Sequence, residues 1–364
     1  VRKVKLSEVT KLSKGKQING TDLLENGEYD FLNGGINPSG KWNEFNVTEN
    51  SIAISEGGNS CGYVNFMTNK FWCGAHCYYL FDIIGNTKYL YYNLKFNENK
   101  IQNLRSGACM PNIKKNDILN FEFNYDNNQE NQNKIVEKLD LITTMIGIKK
   151  NQLMDLDDLI KSQFVEMFDN IENKIRLGDC CEVHARIGWQ ALTKNEHMEN
   201  GEYMLITGTD FKNNEINYET CVYVSKERYE MDKNIILKND DILITKDGTI
   251  GKVAIVHNLN KAATLNGGVF VVRSDKNFNK EYIAYVFKGP LFEEYVDKSK
   301  TGATIKHLNQ KHLVEFEIPL PEKQKQDEFA KIYNQIDKQK FEIQKSLEEV
   351  QKIQESLMNK YFGG

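Results

Sequence analysis

Residues 129–168 constrain this chain more than any other stretch. Along QENQNKIVEKLDLITTMIGIKKNQLMDLDDLIKSQFVEMF, apolar side chains return at alternating steps of four and three: Ile135, Leu139, Ile142, Ile146, Leu153, Leu156, Ile160 and Met167. Lys149 and Gln163 are the two polar interruptions, no proline occurs, and Gly147 is the only glycine. A period near 3.5, held over roughly four to five heptads, predicts a long coiled-coil helix rather than a core helix of ordinary length. At about 1.5 Å per residue it would extend on the order of 55–60 Å. Such a helix cannot bury its stripe alone.

Its partner is predicted at residues 323–361, where Phe329, Ile332, Ile336, Ile343, Leu347, Val350, Leu357 and Tyr361 keep the same rhythm. Polar breaks fall at Lys340 and Gln354, matching those of the first helix. The two helices are expected to pack on each other. Ile135, Leu139, Ile142, Ile146, Leu153, Leu156 and Ile160 would form one side of the seam, and Ile336, Ile343, Leu347, Val350 and Leu357 the other. The polar residues on the seam would set helix register.

An internal repeat fixes the rest of the plan. SGACMPNIKKNDILNFEF (106–123) aligns with TGATIKHLNQKHLVEFEI (301–318), placing Gly107 on Gly302 and Phe121 on Phe316. The register runs on into both long helices and pairs Gln129 with Gln324. VKLSEV (4–9) faces IRLGDC (175–180), ISEGGNSCGYV (54–64) resembles ITKDGTIGKVA (244–254), and NKFWCGAHCYYL (69–80) resembles NKAATLNGGVFVV (260–272). The offset grows between start and middle, so the second half carries an insertion near 186–240. Each half reads as a domain of short β-rich runs closed by a long helix. KEYIAYVFKGPLFEEYVDK (280–298) reads as a helix within the second domain. Expected divisions are a first domain at 1–124, a helix at 125–174, a second domain at 175–320 and a second helix at 321–364.

Composition narrows the function classes. With 364 residues the chain has room for two or three domains. No apolar run approaches the ~18 residues of a membrane span, and VRKVKLSEVTKL lacks a signal peptide's apolar core. The count of seven cysteines is odd, which predicts reduced thiols in a cytoplasm. A net charge of −4 is unlike that of a protein that grips a long duplex by itself. Nucleic-acid binding would need local patches and helping subunits.

Catalytic signatures are absent. Asn37-Pro38-Ser39-Gly40 lacks the aromatic of an amino-methyltransferase tetrad and reads as a turn. DDILITK (240–246) has Ile244 where a nuclease site needs a carboxylate. No phosphate loop or His-Glu-x-x-His motif occurs. Cys73, His76 and Cys77, with Cys61 or Cys109, could begin a zinc site, but the second ligand pair is missing, so the reading is buried or surface thiols. No metal or cofactor is expected.

Two related domains, each followed by a long helix, and the run FEIPLPEKQKQ (316–326) together resemble the specificity subunit of a Type I restriction–modification system. Ile318, Pro319, Leu320, Pro321 and Gln324 match that family's I-P-L-P segment and following Gln, whereas the first half has Asn124 and Asp126 in place of the prolines. The resemblance covers essentially the whole chain. It implies an α+β fold in which two target-recognition domains, mixed and β-rich, are separated by two long antiparallel coiled-coil helices with a pseudo-two-fold relation. It implies a non-catalytic, cytoplasmic subunit whose domains each read one half of a bipartite site in double-stranded DNA. The helices would fix the gap and dock two adenine methyltransferase subunits, with motor-nuclease subunits joining for restriction. A coiled-coil scaffold for protein partners and a freestanding DNA-modifying enzyme are the competing readings.

Candidate DNA contacts are the glycine-rich turns and the box before each long helix, where backbone N–H groups can approach phosphate and polar side chains can reach bases. In the first domain these are Ser55, Asn59, Ser60, Arg105, Ser106, Asn112 and Lys114. In the second they are Lys246, Thr249, Lys252, Lys300, Thr301, Thr304, Lys306, His307 and Asn309.

Overall fold

The computed structural model describes residues 1–107, 111–188, 192–212, 215–300 and 308–363, with the side chains of 298–300 excepted. Two compact units divide the chain: Val1–Gln152 with Ile343–Gly364, and Leu153–Glu342. The cuts fall midway along both long helices, unlike the divisions expected from sequence. Each half-helix buries its stripe in one unit, so it belongs to that unit's core.

The first unit contains β1 (Arg2–Lys5), β2 (Lys11–Lys14), β3 (Tyr29–Leu32), β4 (Gly40–Trp42), β5 (Ser51–Ser55) and β6 (Val64–Met67). It continues with β7 (Phe71–Cys73), β8 (Cys77–Phe81), α1 (Thr87–Phe96), α2 (Glu98–Gln102), α3 (Lys115–Leu119) and β9 (Glu122–Tyr125), then enters α4 (Gln129–Phe168). Its strands form an antiparallel ribbon β1-β9, a four-stranded sheet β2-β8-β5-β6 and a three-stranded sheet β4-β3-β7. Pairing is antiparallel except between β3 and β7.

Alternation along β5 explains the layering. Its period of two sends Ile52 and Ile54 into the main core with α1, while Ala53 faces a smaller core with Leu32, Phe71, Cys73 and Cys77. Both faces are therefore covered, which is why SIAIS reads as one apolar run. The apolar run ILNFEF (118–123), one of the first domain's short β-rich runs by sequence, is partly helical, because Ile118 and Leu119 close α3 before β9 begins.

The second unit repeats this plan. It opens with β10 (Lys174–Arg176), α5 (Leu177–Cys180), β11 (Cys181–Ala185), β12 (Tyr203–Ile206), β13 (Phe211–Lys212), β14 (Glu215–Ile216), β15 (Val222–Val224) and α6 (Lys226–Glu230). Then come β16 (Ile242–Thr245), β17 (Val253–Ile255), β18 (Ala262–Leu265), β19 (Val269–Ser274), α7 (Lys280–Lys288), α8 (Pro290–Lys300), α9 (Gln310–Val314), β20 (Glu317–Pro319) and α10 (Lys323–Phe362). The sheets are β10-β20, β11-β19-β16-β17 and β15-β12-β18, again with one parallel pair, β12 with β18. Ile242 and Ile244 face one core and Leu243 another, as in β5. The inserted residues build the hairpin β13-β14 and the helix α6. The single helix read over 280–298 is two, broken at Gly289 where Pro290 opens α8. Proline fits a first helical turn but lacks the N–H a helix interior needs.

The long helices run antiparallel within the second unit. Asp157 of α4 meets Lys340 of α10 in an ion pair. Eleven residues further along α4, Phe168 meets Phe329, eleven residues back along α10, with ring centroids 5.5 Å apart. Ile160 and Ile336 are buried, and Leu153 and Leu156 are half-buried. Aromatic rings supply much of the bulk here: Phe164 lies within 5.4 Å of Phe329 and 4.9 Å of Tyr285. In the first unit, Leu139, Leu347 and Val350 are buried, while Ile135, Ile142, Ile146, Ile343 and Leu357 are half-buried. There Gln354 donates to the Thr143 hydroxyl at 3.0 Å. Gln163, expected on the seam, instead bonds Glu166 of its own helix.

Matched clasps lock each domain to the helix that follows it. Asn86 caps α1, its backbone N–H donates to Gln132 Oε1 at 2.7 Å, and Gln132 Nε2 donates to the Asp126 carbonyl at 2.6 Å. Asn279 caps α7, its N–H donates to Gln326 Oε1 at 2.9 Å, and Gln326 Nε2 donates to the Pro321 carbonyl at 3.0 Å. Both glutamines are 1 % exposed. The Gln the fold uses is thus Gln326, not Gln324, which bonds Glu328 on the helix surface. Replacing Gln326 by Leu strands a buried N–H and a buried carbonyl, at about 1–3 kcal/mol each. Urea unfolding of the second unit in Gln326→Leu should show a loss of about 2–6 kcal/mol, and a loss under about 1 kcal/mol would contradict the clasp.

Candidate nucleic-acid interface

In the first unit the turn between β5 and β6 is stitched to the segment before α3. Gly58 N–H donates to the Pro111 carbonyl at 3.0 Å, and Ile113 N–H to the Glu56 carbonyl at 2.9 Å. Ser106 and Asn112 exchange backbone bonds at 2.9 and 3.0 Å. The turn needs glycine at position 62, where φ is +86° and a Cβ would lie 2.8 Å from the Gln102 backbone. This stitching gathers Asn59, Ser60, Arg105, Ser106, Asn112 and Lys114 along one edge. All are exposed except Ser60, which is half-buried and donates to the Gly34 carbonyl at 2.6 Å.

Ser55 is a correction. Its side chain is wholly buried and its hydroxyl donates to the Gly35 carbonyl at 3.2 Å, so it supports the turn and cannot reach a base. Beneath the edge, buried Glu56 is paired with Lys14 at 2.6 Å and accepts from the Tyr78 hydroxyl at 2.8 Å. Burial and that carboxylate together push the Tyr78 phenol well above its usual range.

The second unit keeps the stitch and changes the side chains. Leu308 N–H donates to the Lys246 carbonyl at 3.1 Å, just as Ile113 does to Glu56. Thr245 Oγ1 donates to the Thr249 carbonyl at 2.5 Å and accepts from Lys252 N–H at 3.0 Å, which shapes the β16–β17 turn. Thr249 and Lys252 are exposed. Lys246 is half-buried, with its ammonium 5.2 Å from the Phe270 ring centre. Asn309 is exposed, but its Oδ1 accepts from His312 N–H and so caps α9. A cavity of about 430 Å³ adjoins this edge, lined by Lys246, Asp247, Arg186, Asn309 and Gln310 among others. The Lys300 side chain and all of Thr301, Thr304, Lys306 and His307 lie outside the described residues.

Sequence reading missed Arg186, a buried guanidinium that donates to the Leu265 carbonyl at 2.8 Å and to Thr264 Oγ1 at 3.2 Å. Burial, with Arg228 nearby, lowers its pKa. Nothing in RIG (186–188) signals this. The clasp residues did leave a trace: NTKYLYY (86–92) and NKEYIAY (279–285) share Asn-x-x-Tyr-x-x-Tyr.

Among the described residues, no group of three or more His, Cys, Asp or Glu could hold a metal ion. Cys61, Cys73 and Cys77 are buried, and their thiols donate to backbone carbonyls; Cys109 lies outside the described residues. No helix among the described residues is long and apolar enough to cross a membrane.

The family model for the Type I restriction modification DNA specificity domain matches residues 1–156 and again 170–353. A putative type I specificity subunit of Mycoplasma pneumoniae is 29% identical over 203 residues, covering 55% of this chain and 54% of that protein. One from Mycoplasma genitalium is 28% identical over 210 residues, covering 53% and 54%. The chain thus spans about half the length of these curated relatives. The MjaVIII specificity subunit of Methanocaldococcus jannaschii is 22% identical, covering 74% of this chain and 68% of that protein. The crystal structure of a Type I restriction–modification S subunit from M. genitalium shares the fold at a TM-score of 0.69 and 20% identity, covering 99% of this chain and 96% of that one.

Proposed function

The chain belongs to the Type I restriction modification DNA specificity family, and we propose that it is the sequence-reading subunit of such a system. Each domain, taken as residues 1–124 and 175–320, reads one half of a bipartite site in double-stranded DNA. The helical segments 125–174 and 321–364 set the gap between the halves and dock two adenine methyltransferase subunits, and motor-nuclease subunits join for restriction. The chain itself is non-catalytic, needs no cofactor and works in the cytoplasm.

One observation carries this reading: the same scaffold occurs twice, with a different charge at the same point of the stitch each time. Glu56 and Lys246 occupy the same point of the stitch, yet the first is a neutralised acid and the second a cation over an aromatic ring. A repeated support under divergent side chains suits two readers of unlike half-sites, since phosphate contacts fix register while base contacts specify. Asn59, Ser60, Arg105, Ser106, Asn112 and Lys114 are proposed contacts of the first edge. Lys246, Thr249, Lys252 and Asn309 are proposed for the second, as are Lys300, Thr301, Thr304, Lys306 and His307 on the strength of the sequence alone. A net charge of −4 fits a reader whose methyltransferase partners supply much of the phosphate attraction.

A gel-shift series with and without the modification subunit tests the proposal, on duplexes carrying the site found by methylation mapping. Tight, sequence-selective binding is expected only in the complex. Equal affinity of the complex for random duplex would sink the reading.

A further inference from the structure

Inside the second unit, bordered on one side by Lys252 of the proposed DNA edge, a cavity of about 570 Å³ opens where α7 and α8 meet the long helices. Lys288, the last residue of α7, points its amine at Tyr333 of α10. Nζ donates to the Tyr333 hydroxyl at 2.6 Å and lies 5.2 Å from the centre of that ring. We propose that Lys288 is a covalent modification site: an amine that condenses with small aldehydes entering this cavity.

The surroundings favour a neutral amine here. Its hydrogen-bond partner is a phenol that burial holds protonated, so it offers no counter-charge. Burial pushes the Lys288 ammonium down to about 8; Lys340 adds to the depression, while Asp337, Asp157 and Glu215 oppose it. Lys340 of α10 is itself paired with Asp157 of α4. Asp158 and Lys161 of α4, Glu293 of α8 and Lys252 of the β16–β17 turn complete the charged lining.

The chemistry balances without an external oxidant or reductant. The Nζ lone pair attacks the carbonyl carbon, and the C=O π pair moves to oxygen, which takes a proton from the nitrogen. Loss of water from this carbinolamine, carrying away the second amine proton, leaves the C=N bond.

The first unit holds an internal control. Lys95 occupies the equivalent place at the end of α1, but it is paired with Glu98 at 2.6 Å and sits 3.7 Å from the centre of the Tyr63 ring. At pH 8 an ordinary lysine holds on the order of a hundredfold less neutral amine than one titrating near 8.

The test treats the full chain with pyridoxal 5′-phosphate across a pH series, traps imines with borohydride and maps labelled peptides by mass spectrometry. Lys288 is expected to label first, with a midpoint near pH 8 and well ahead of Lys95. Lys288→Arg should remove that label alone. Because the wild-type profile needs no variant, a misfolded Lys288→Arg leaves the test intact. Labelling of Lys288 no faster than Lys95, or rising only near pH 10, would overturn the proposal.

Discussion

Replacing Phe329 by Ala is expected to cost the second unit about 3–5 kcal/mol, the usual range for a buried aromatic in a close-packed core. Phe329 is fully buried, and its ring lies 5.1 Å from Tyr285, 5.4 Å from Phe164 and 5.5 Å from Phe168. Those neighbours come from α4 and α7, so the cavity left behind is walled by two helices that cannot collapse into it independently. Two units need not unfold together, so native-state hydrogen exchange is the right measurement. Amides of α7 and of α10 near Phe329 should lose protection while those of β5 keep theirs. Ile135, the matching position of the first unit, is only half-buried, and its truncation should cost less. Protection falling equally in both units, or by less than about 1 kcal/mol, would mean that the aromatic cluster is not the seat of the second domain.

Exchanging residues 175–320 for the equivalent domain of a relative should change one half of the methylated sequence and leave the other intact. The effect should be large, because each mismatched base pair costs about 1–3 kcal/mol and several change at once. Methylation mapping of DNA exposed to the hybrid complex reads the outcome directly. The structure favours clean exchange, since the ribbon β10-β20 brackets the domain and each helix start keeps its own Gln–Asn clasp. Both halves changing, or neither, would defeat the modular reading.

The architecture was legible wherever periodicity carried it. A 3.5 repeat gave the two long helices, and an offset repeat gave two domains of one plan, because both signals survive the loss of individual residues. Phe164 and Phe168 escaped, since at the end of α4 the buried stripe leaves the heptad rhythm and runs at steps of four from Ile160 into the domain core. Gln132 and Gln326 also escaped. A buried amide looks in sequence like any surface amide, and only its partners reveal it. Pairing Gln129 with Gln324 was a slip of register. The offset between halves is 195 at the strands Glu122 and Glu317, but 194 at the helix starts Gln129 and Lys323, so one residue is lost in between. The proposed DNA edges were legible as glycine turns, because the backbone there requires glycine. Ser55 could not be told from its exposed neighbours, since its burial depends on Gly35, twenty residues upstream.

The division into compact units has a consequence for how the chain matures on the ribosome. Residues 153–342 make the second unit from one unbroken stretch. The first unit needs both ends: Phe362 packs against Tyr89 and Phe96, with ring centroids 5.4 and 6.1 Å away. At ~5–20 residues per second, translation delivers that ring roughly 10–40 seconds after Gln152 has emerged. The domain made first is therefore finished last, and until then its unfilled core is open to whatever holds nascent apolar surface.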